Sequence, residues 1–382
     1  MKTKAAVLYE TGATQPYAES LPLVVDEITL DGPGPGEVLV EIVGAGLCHS
    51  DLSVVDGSRP RPLPMVLGHE ASGIVREIGS GLNAGEFATG DHVVFSWVPV
   101  CGRCLYCASG RGAMCEPGNA ANLVGTLLSG ARRFTGSRAS GQACSHHLGV
   151  SAFSQFTVAA QESLIKIDAS LPLGMAALFG CAVMTGVGAV VNTAGVQPGT
   201  SVAVFGMGGV GLSAVMGARA AGAYPIIAVD RIEEKLQFAR GVGATQTINA
   251  ALDDPVAAIR EIGIGGADFV IESVGNEAVL IQAYQSTKRG GTTVSAGLPA
   301  PNKMFKVPAL GIVAEERTIK GTYMGGCVPR RDIPRFVGMY QAGILPVDKL
   351  QTHTLRLEEI NEGFDRLAQA QAVRQIIDFS AS

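Results

Sequence analysis

The chain has 382 residues, too many for one core of ordinary size and suited to two domains. It is 47% hydrophobic and only 16% charged, with 50 glycines, which excludes a disordered chain and fits a well-buried α/β protein. Its formal net charge is −5, and no basic block is denser than Arg132–Arg133 or Arg330–Arg331, so charge argues against a nucleic-acid partner.

The opening "MKTKAAVLYETG" lacks the apolar stretch and small-residue cleavage site of a secretion signal. A cytoplasmic location is the expectation, and clustered thiols there read as metal ligands before disulfides. "AAVLY", "GEVLVEIVGAG", "ASGIVREIG" and "DHVVFS" are expected strands of a barrel-like or mixed sheet domain. Gly110–Gly149, poor in periodicity, reads as long loops, and "SAFSQFTVA" resumes a strand pattern. Ala169 to Ser201 carries no charge, but Pro172, Asn192, Gln197, Pro198 and six glycines favour a buried helix and turn over a membrane span.

After Pro198, strand and helix patterns alternate: "SVAVFG", "GGVGLSAVMGARAAG", "PIIAVD", "RIEEKLQFARGVGA", then "DFVIESVG", "GGTTVSAG" and "RTIKGTY". Such alternation predicts a parallel sheet covered on both sides. Gly206, Gly208 and Gly211 form G-x-G-x-x-G between a predicted strand and helix, with Gly209 and Val210 inside the turn. The glycines permit a tight turn, close approach of a pyrophosphate and close helix packing. Asp230 ends the next strand, where a carboxylate accepts from the adenosine ribose hydroxyls and repels a 2′-phosphate; NAD is expected over NADP, with the adjacent Arg231 softening that preference. The tail offers helical patterns "RDIPRFVGMYQAG" and "LEEINEGFDRLAQA" and a last strand, "VRQIIDF".

Cys101, Cys104, Cys107 and Cys115 are spaced C-x₂-C-x₂-C-x₇-C, intervals at which thiolates wrap a tetrahedral ion. An iron–sulfur cluster is the rival; with no second four-cysteine set and a nicotinamide already available for redox work, structural zinc is the reading. Cys48, His69 and Cys181 are dispersed, and each alone reads as an ordinary buried residue.

The ordered set "GLCHSD", "LGHEASGIV", the four-cysteine loop, "CAVMTGVGAV" and "GMGGVG", continuing to "INEGFDRL" and "VRQII", closely resembles the zinc-dependent, medium-chain alcohol dehydrogenases. The resemblance implies an α/β two-domain protein: a GroES-like, mainly β catalytic domain from residues 1–182 and 324–382, and a Rossmann domain over 183–323. It implies Cys48, His69 and Cys181 as ligands of a catalytic zinc, hence two Zn²⁺ per subunit, with Ser50 on the alcohol, Asp51 behind the zinc-bound histidine and Glu70 close behind the metal. Thr185 is implied near the nicotinamide, Arg374 at the pyrophosphate and Lys235 near the adenosine ribose. The implied chemistry is hydride transfer from an alcohol carbon to NAD, in a homodimer or homotetramer acting on a small alcohol or aldehyde, without nucleic acid or membrane.

Two departures bear on mechanism. Where many members have a histidine five residues after the first zinc cysteine, this chain has Ser53, so the proton leaves through water or His49. His49 also stands where many members place an arginine on the pyrophosphate. Gly57, Arg59 and Asn119 replace residues expected for an S-(hydroxymethyl)glutathione dehydrogenase and argue against that substrate, while "CHSD" resembles bacterial aryl-alcohol and broad-range enzymes. Trp97, the sole tryptophan, is implied at the inner substrate pocket and favours a flat primary alcohol, aromatic or allylic; packing of the barrel is the plain alternative. A dismutase-like enzyme with tightly held NAD remains the rival. His146–His147, beside Cys144, match no metal template and read as solvated or loop-packing residues.

Overall fold

The computed structural model describes residues 1–82, 85–136 and 141–380. The chain packs as two compact units: Met1–Cys181, Val328–Pro334 and Gln351–Ser382 form the first, and Ala182–Cys327 with Arg335–Leu350 the second.

The first unit is mainly β. Strands Lys2–Leu8, Leu23–Leu30, Phe134–Thr135, Ala143–His146 and Met65–Val66 close into a barrel. Ala5, Val7, Ile28, Leu30, Val66, Phe134 and Cys144 fill a core with essentially no exposure. Each large apolar side chain removed from water there contributes about 1.5–3 kcal/mol. Beside the barrel, a seven-stranded sheet is organised on Glu37–Gly46, which pairs antiparallel with Glu70–Ile78, Phe156–Ala160 and Arg374–Asp378. Its register sets the site: Gly46 faces both Glu70 and Ile376. The residues just past Gly46, just before Glu70 and just before Ile376 are therefore brought to one end of the sheet.

The stretch expected as long loops is partly regular. Glu116–Val124 is a helix, with a proline in its first turn and Gly125 closing it at φ +71°, and the two short strands Phe134–Thr135 and Ala143–His146 belong to the barrel. The start and stop signals were present. Only Gly118, Ala121 and Asn122 of the helix are buried, however, so no apolar stripe announced it. Residues 137–140 of that stretch lie outside the described residues.

The second unit is a six-stranded parallel sheet in the order Gln246–Asn249, Ile226–Asp230, Val202–Phe205, Ala267–Glu272, Thr287–Ser295, Thr318–Gly321. This is the doubly wound Rossmann order, whose direction switches at the central strand Val202–Phe205. That strand is apolar throughout and fully buried, as a strand covered on both faces must be. Gln246–Asn249 and the helices Pro255–Ile262 and Glu277–Ser286 have no counterpart among the expected elements. The strand is short and half-exposed, and the helices are started by Asp254 and Asn276, whose side chains accept N–H bonds from the first turn. No single helix among the described residues is long and apolar enough to cross a membrane.

Candidate functional site

Cys48 is the N-cap residue of the helix His49–Val55, with extended backbone, and Asp51 at the third helical position returns its carboxylate to the Cys48 N–H at 3.2 Å. His69 directly precedes the strand Glu70–Ile78, and Cys181 follows the short helical turn Ala177–Gly180. These local accidents of position bring Cys48 Sγ, His69, Glu70 and Cys181 Sγ together, with one ligand atom of each within 4.8 Å of the others. All four are buried, and Cys181 Sγ lies 3.6 Å from His69 Nε2.

Behind His69, its Nδ1 meets Asp51 Oδ1 at 3.0 Å. With Nδ1 committed to the carboxylate, Nε2 is the nitrogen presented to the two thiols, as a ligating imidazole requires. The hydrogen bond from Cys181, with Arg374 and His69 nearby, outweighs burial and holds the Cys48 thiol well below its usual range. Two soft sulfurs and one imidazole make a donor set suited to zinc, leaving a tetrahedral position for another ligand. On the other side, Glu70 Oε1 accepts from an Arg374 nitrogen at 2.9 Å, and the same nitrogen reaches the Leu47 carbonyl at 3.3 Å. Glu70 Oε2 has no hydrogen-bond partner among the described residues. Burial pushes the Glu70 carboxyl up to about 7 against the pull of Arg374.

Among the remaining expected residues of this unit, Ser50 Oγ lies 3.9 Å from Cys48 Sγ, and His49 is exposed at the helix start. Ser53 donates its hydroxyl to the His49 carbonyl at 2.8 Å. Trp97 is buried, and its carbonyl accepts from Asn122. Arg374, expected at a pyrophosphate, is only 5% exposed and engaged with Glu70 and Leu47.

Cys101, Cys104, Cys107 and Cys115 form a second cluster, again with ligand atoms within 4.8 Å of one another and no disulfide. Cys101 and Cys107 sulfurs stand 3.9 Å apart and Cys104 and Cys107 3.4 Å. Sulfurs around one tetrahedral ion at a Zn–S distance of ~2.3 Å would stand roughly 3.8 Å apart. The N–H groups of Cys101 and Cys104 point at Cys115 Sγ and Cys101 Sγ, the arrangement that stabilises thiolates.

In the second unit, Gly206 turns the chain at φ +90°, and Gly208 starts the helix Gly209–Ala220 that includes Val210 and Gly211. A Cβ on Gly211 would stand 1.7 Å from the Gly206 carbonyl, so close packing demands that glycine, whereas a Cβ on Gly208 would meet nothing within 4 Å. The open space over Gly208 and the free helix N-terminus suit a pyrophosphate. Asp230 Oδ2 accepts the Met207 N–H at 2.6 Å and Oδ1 accepts those of Arg231 and Ile232, fastening the acid to the glycine turn. Arg231 is exposed, Lys235 half-buried and Thr185 buried in the helix Ala182–Gly188.

One expectation is corrected. His146 and His147 are not solvated: both are buried, and His147 Nδ1 lies 3.1 Å from the Asp51 oxygen that holds His69. His146 Nε2 accepts the Arg133 N–H at 3.1 Å, which is a packing role. No spacing signal links His147 to Asp51, because only barrel closure brings them together.

Comparison with known proteins agrees with this geometry. Residues 34–169 match the family "Alcohol dehydrogenase GroES-like domain" and residues 209–342 the family "Zinc-binding dehydrogenase". An NDMA-dependent alcohol dehydrogenase of Amycolatopsis methanolica is 39% identical over the full length of both chains. A crystal structure of an alcohol dehydrogenase zinc-binding domain protein from Burkholderia ambifaria superposes with a TM-score of 0.92 at 36% identity, covering 99% of each chain. Benzyl alcohol dehydrogenase from Acinetobacter calcoaceticus superposes with 0.91 at 32% identity over all of both chains. The chain belongs to the zinc-dependent medium-chain dehydrogenase/reductase (alcohol dehydrogenase) family and is a zinc-containing, NAD(P)-binding enzyme of that fold.

Proposed function

We propose that the protein oxidises a primary alcohol, aromatic or allylic, to its aldehyde with NAD⁺, reversibly, using one catalytic and one structural zinc per subunit. The observation that carries this reading is the convergence of Cys48, His69 and Cys181, with Asp51 fixing which nitrogen of His69 faces the sulfurs. Zinc held by those three residues supplies Lewis acidity toward the alcohol oxygen, and NAD supplies the hydride acceptor. Cys101, Cys104, Cys107 and Cys115 hold the second ion and have a structural role.

The chain's own residues do the rest. Ser50 Oγ takes the alcohol proton and passes it on; with Ser53 unable to act as a base near neutral pH, His49, exposed at the helix start, or water carries it out. Arg374 steadies Glu70 behind the site and offers its remaining edge to the pyrophosphate. Gly206, Gly208, Gly209, Val210 and Gly211 receive the pyrophosphate, Asp230 the adenosine ribose with Arg231 and Lys235 beside it, and Thr185 the nicotinamide. The likeness to benzyl alcohol dehydrogenase and the buried Trp97 support an aromatic substrate. In this reading residues 1–182 and 324–382 are catalytic and 183–323 bind cofactor, in a cytoplasmic homodimer or homotetramer. The exposed edge strand Thr318–Gly321 supports pairing with a second copy.

The test is zinc per chain together with NAD- and NADP-dependent oxidation of benzyl alcohol, hexanol and ethanol. Two zincs and preferred NAD-linked turnover of benzyl alcohol are expected; one zinc without turnover would overturn the ligand assignment. A second reading is that NAD stays bound through turnover: a need for an added acceptor, which the name of the NDMA-dependent relative states of that protein, is what an unreleased cofactor would produce. It predicts alcohol oxidation with NDMA and no added NAD, and cofactor that stays with the protein through gel filtration.

A further inference from the structure

His147 stands outside the ligand set yet is buried against it. Its ring meets that of His69 edge-on, with centroids 5.4 Å apart, and its Nδ1 lies 3.1 Å from Asp51 Oδ1 without hydrogen-bond alignment to any acceptor among the described residues. That same oxygen already accepts the Gly68 N–H at 3.2 Å and faces His69 Nδ1 at 3.0 Å. The backbone around His147 is fastened to the segment that leads into His69. The His147 N–H donates to Ser151 Oγ, which donates to the Val66 carbonyl, while Ala152 and Phe153 donate their N–H groups to Gly68 and Leu67. Residues 147–153 thus grip residues 66–68.

We propose that His147 is a positioning residue for the metal site, backing Asp51 so that its carboxylate keeps His69 Nε2 turned to the thiols of Cys48 and Cys181. A carboxylate turns about its last side-chain bond with little resistance. Though off hydrogen-bond alignment, a second ring N–H 3.1 Å from Oδ1, in a site closed to water, still draws that oxygen electrostatically and deepens the one orientation in which it stays on His69. Asp51, His69 and His147 also present atoms within 4.8 Å of one another. A cation seated among them would take Oδ1 from Gly68 and His69, so the brace is the better use of the group. The proposal rests on Cys48, His69 and Cys181 holding zinc.

The experiment uses the zinc-loaded full chain, as wild type and as His147→Phe, His147→Asn and His147→Gln. Zinc release to a chromogenic chelator is followed in each, with metal content and the visible spectrum of the cobalt-substituted protein. Phe keeps the bulk and removes the donor. Asn places its amide nitrogen where Nδ1 stood, and Gln places its own at the wrong depth. His147→Phe and His147→Gln should lose one of two zincs roughly 10–100-fold faster with an altered cobalt spectrum, and His147→Asn should recover most of the wild-type behaviour. Should His147→Phe not fold, Gln against Asn decides. Wild-type release and spectrum in the donor-deleted variants, equal damage in Asn and Gln, or a third metal per wild-type chain would each overturn the proposal. A wild type holding a single zinc would instead remove the ligand reading beneath it.

Discussion

Asp51 Oδ1 meets the ring of His69 at Nδ1 and accepts the N–H of the preceding Gly68, while its other oxygen takes the N–H of Cys48. One buried carboxylate therefore ties together the two backbone segments that supply two of the three proposed zinc ligands. Asp51→Asn keeps the shape but turns an N–H₂ toward a backbone donor. The expected result is zinc affinity reduced about 10–100-fold, measured by chelator competition, with the four-cysteine ion retained. Unchanged affinity would mean that Asp51 organises backbone only.

The four-cysteine lobe predicts a separable loss. Cys104→Ser should lower zinc content from two to one per chain and cost several kcal/mol of stability, since binding energy at a structural site is folding energy. For domains of this size each kcal/mol shifts Tm by about 2–4 °C, a change that scanning calorimetry resolves. A variant with unaltered zinc content and Tm would remove the lobe from the list of metal sites.

Two glycines of one motif should respond in opposite ways. Gly211→Ala drives a methyl to within 1.7 Å of the Gly206 carbonyl and should unfold the turn, with stability loss of about 3 kcal/mol or more. Gly208→Ala meets open space, so Tm should stay near wild type while NAD affinity falls at least tenfold. Equal Tm loss in both variants would contradict the ligand-facing assignment of Gly208.

Cofactor choice is expected to rest on Asp230. Asp230→Ser should narrow the preference for NAD over NADP by about tenfold or more, roughly 1.4 kcal/mol, read from dissociation constants of both cofactors. A ratio that does not move would assign the acid solely to holding the Met207, Arg231 and Ile232 N–H groups.

Asp268 contributes a pH-dependent tie. Burial pushes its carboxyl up, but Lys288 and the N–H and hydroxyl of Ser201 outweigh this and hold it below the usual carboxylate range. A depressed pKa stabilises the fold above the unfolded value, about 3.9, and that stability is lost as pH falls through the lower folded value. Asp268→Asn should cost about 1 kcal/mol near pH 7 and flatten the loss of stability below about pH 4. Denaturant unfolding across pH 3–7 checks both; parallel curves for the two proteins would remove Asp268 from the acid response.

Local chemistry was enough to read the glycine-turn segment of the second unit and the clustering of the four cysteines. Strand, glycine turn, helix, strand and terminal acid are contiguous, so propensity and spacing specify them before any long-range contact forms. Cys101 to Cys115 likewise act within fifteen residues. The proposed zinc set of Cys48, His69 and Cys181 rests in the sequence on family resemblance alone, because residues so far apart carry no spacing signal. Sheet register decided the meeting of Cys48 and His69, by setting Gly46 opposite both Glu70 and Ile376, and the turn Ala177–Gly180 delivers Cys181 to them. The same register buried Arg374 against Glu70, and barrel closure carried His147 to Asp51. Side chains contributed by separate strands become neighbours only when the backbone ladders are paired. That pairing is a property of the folded sheet, which no stretch of the sequence holds alone.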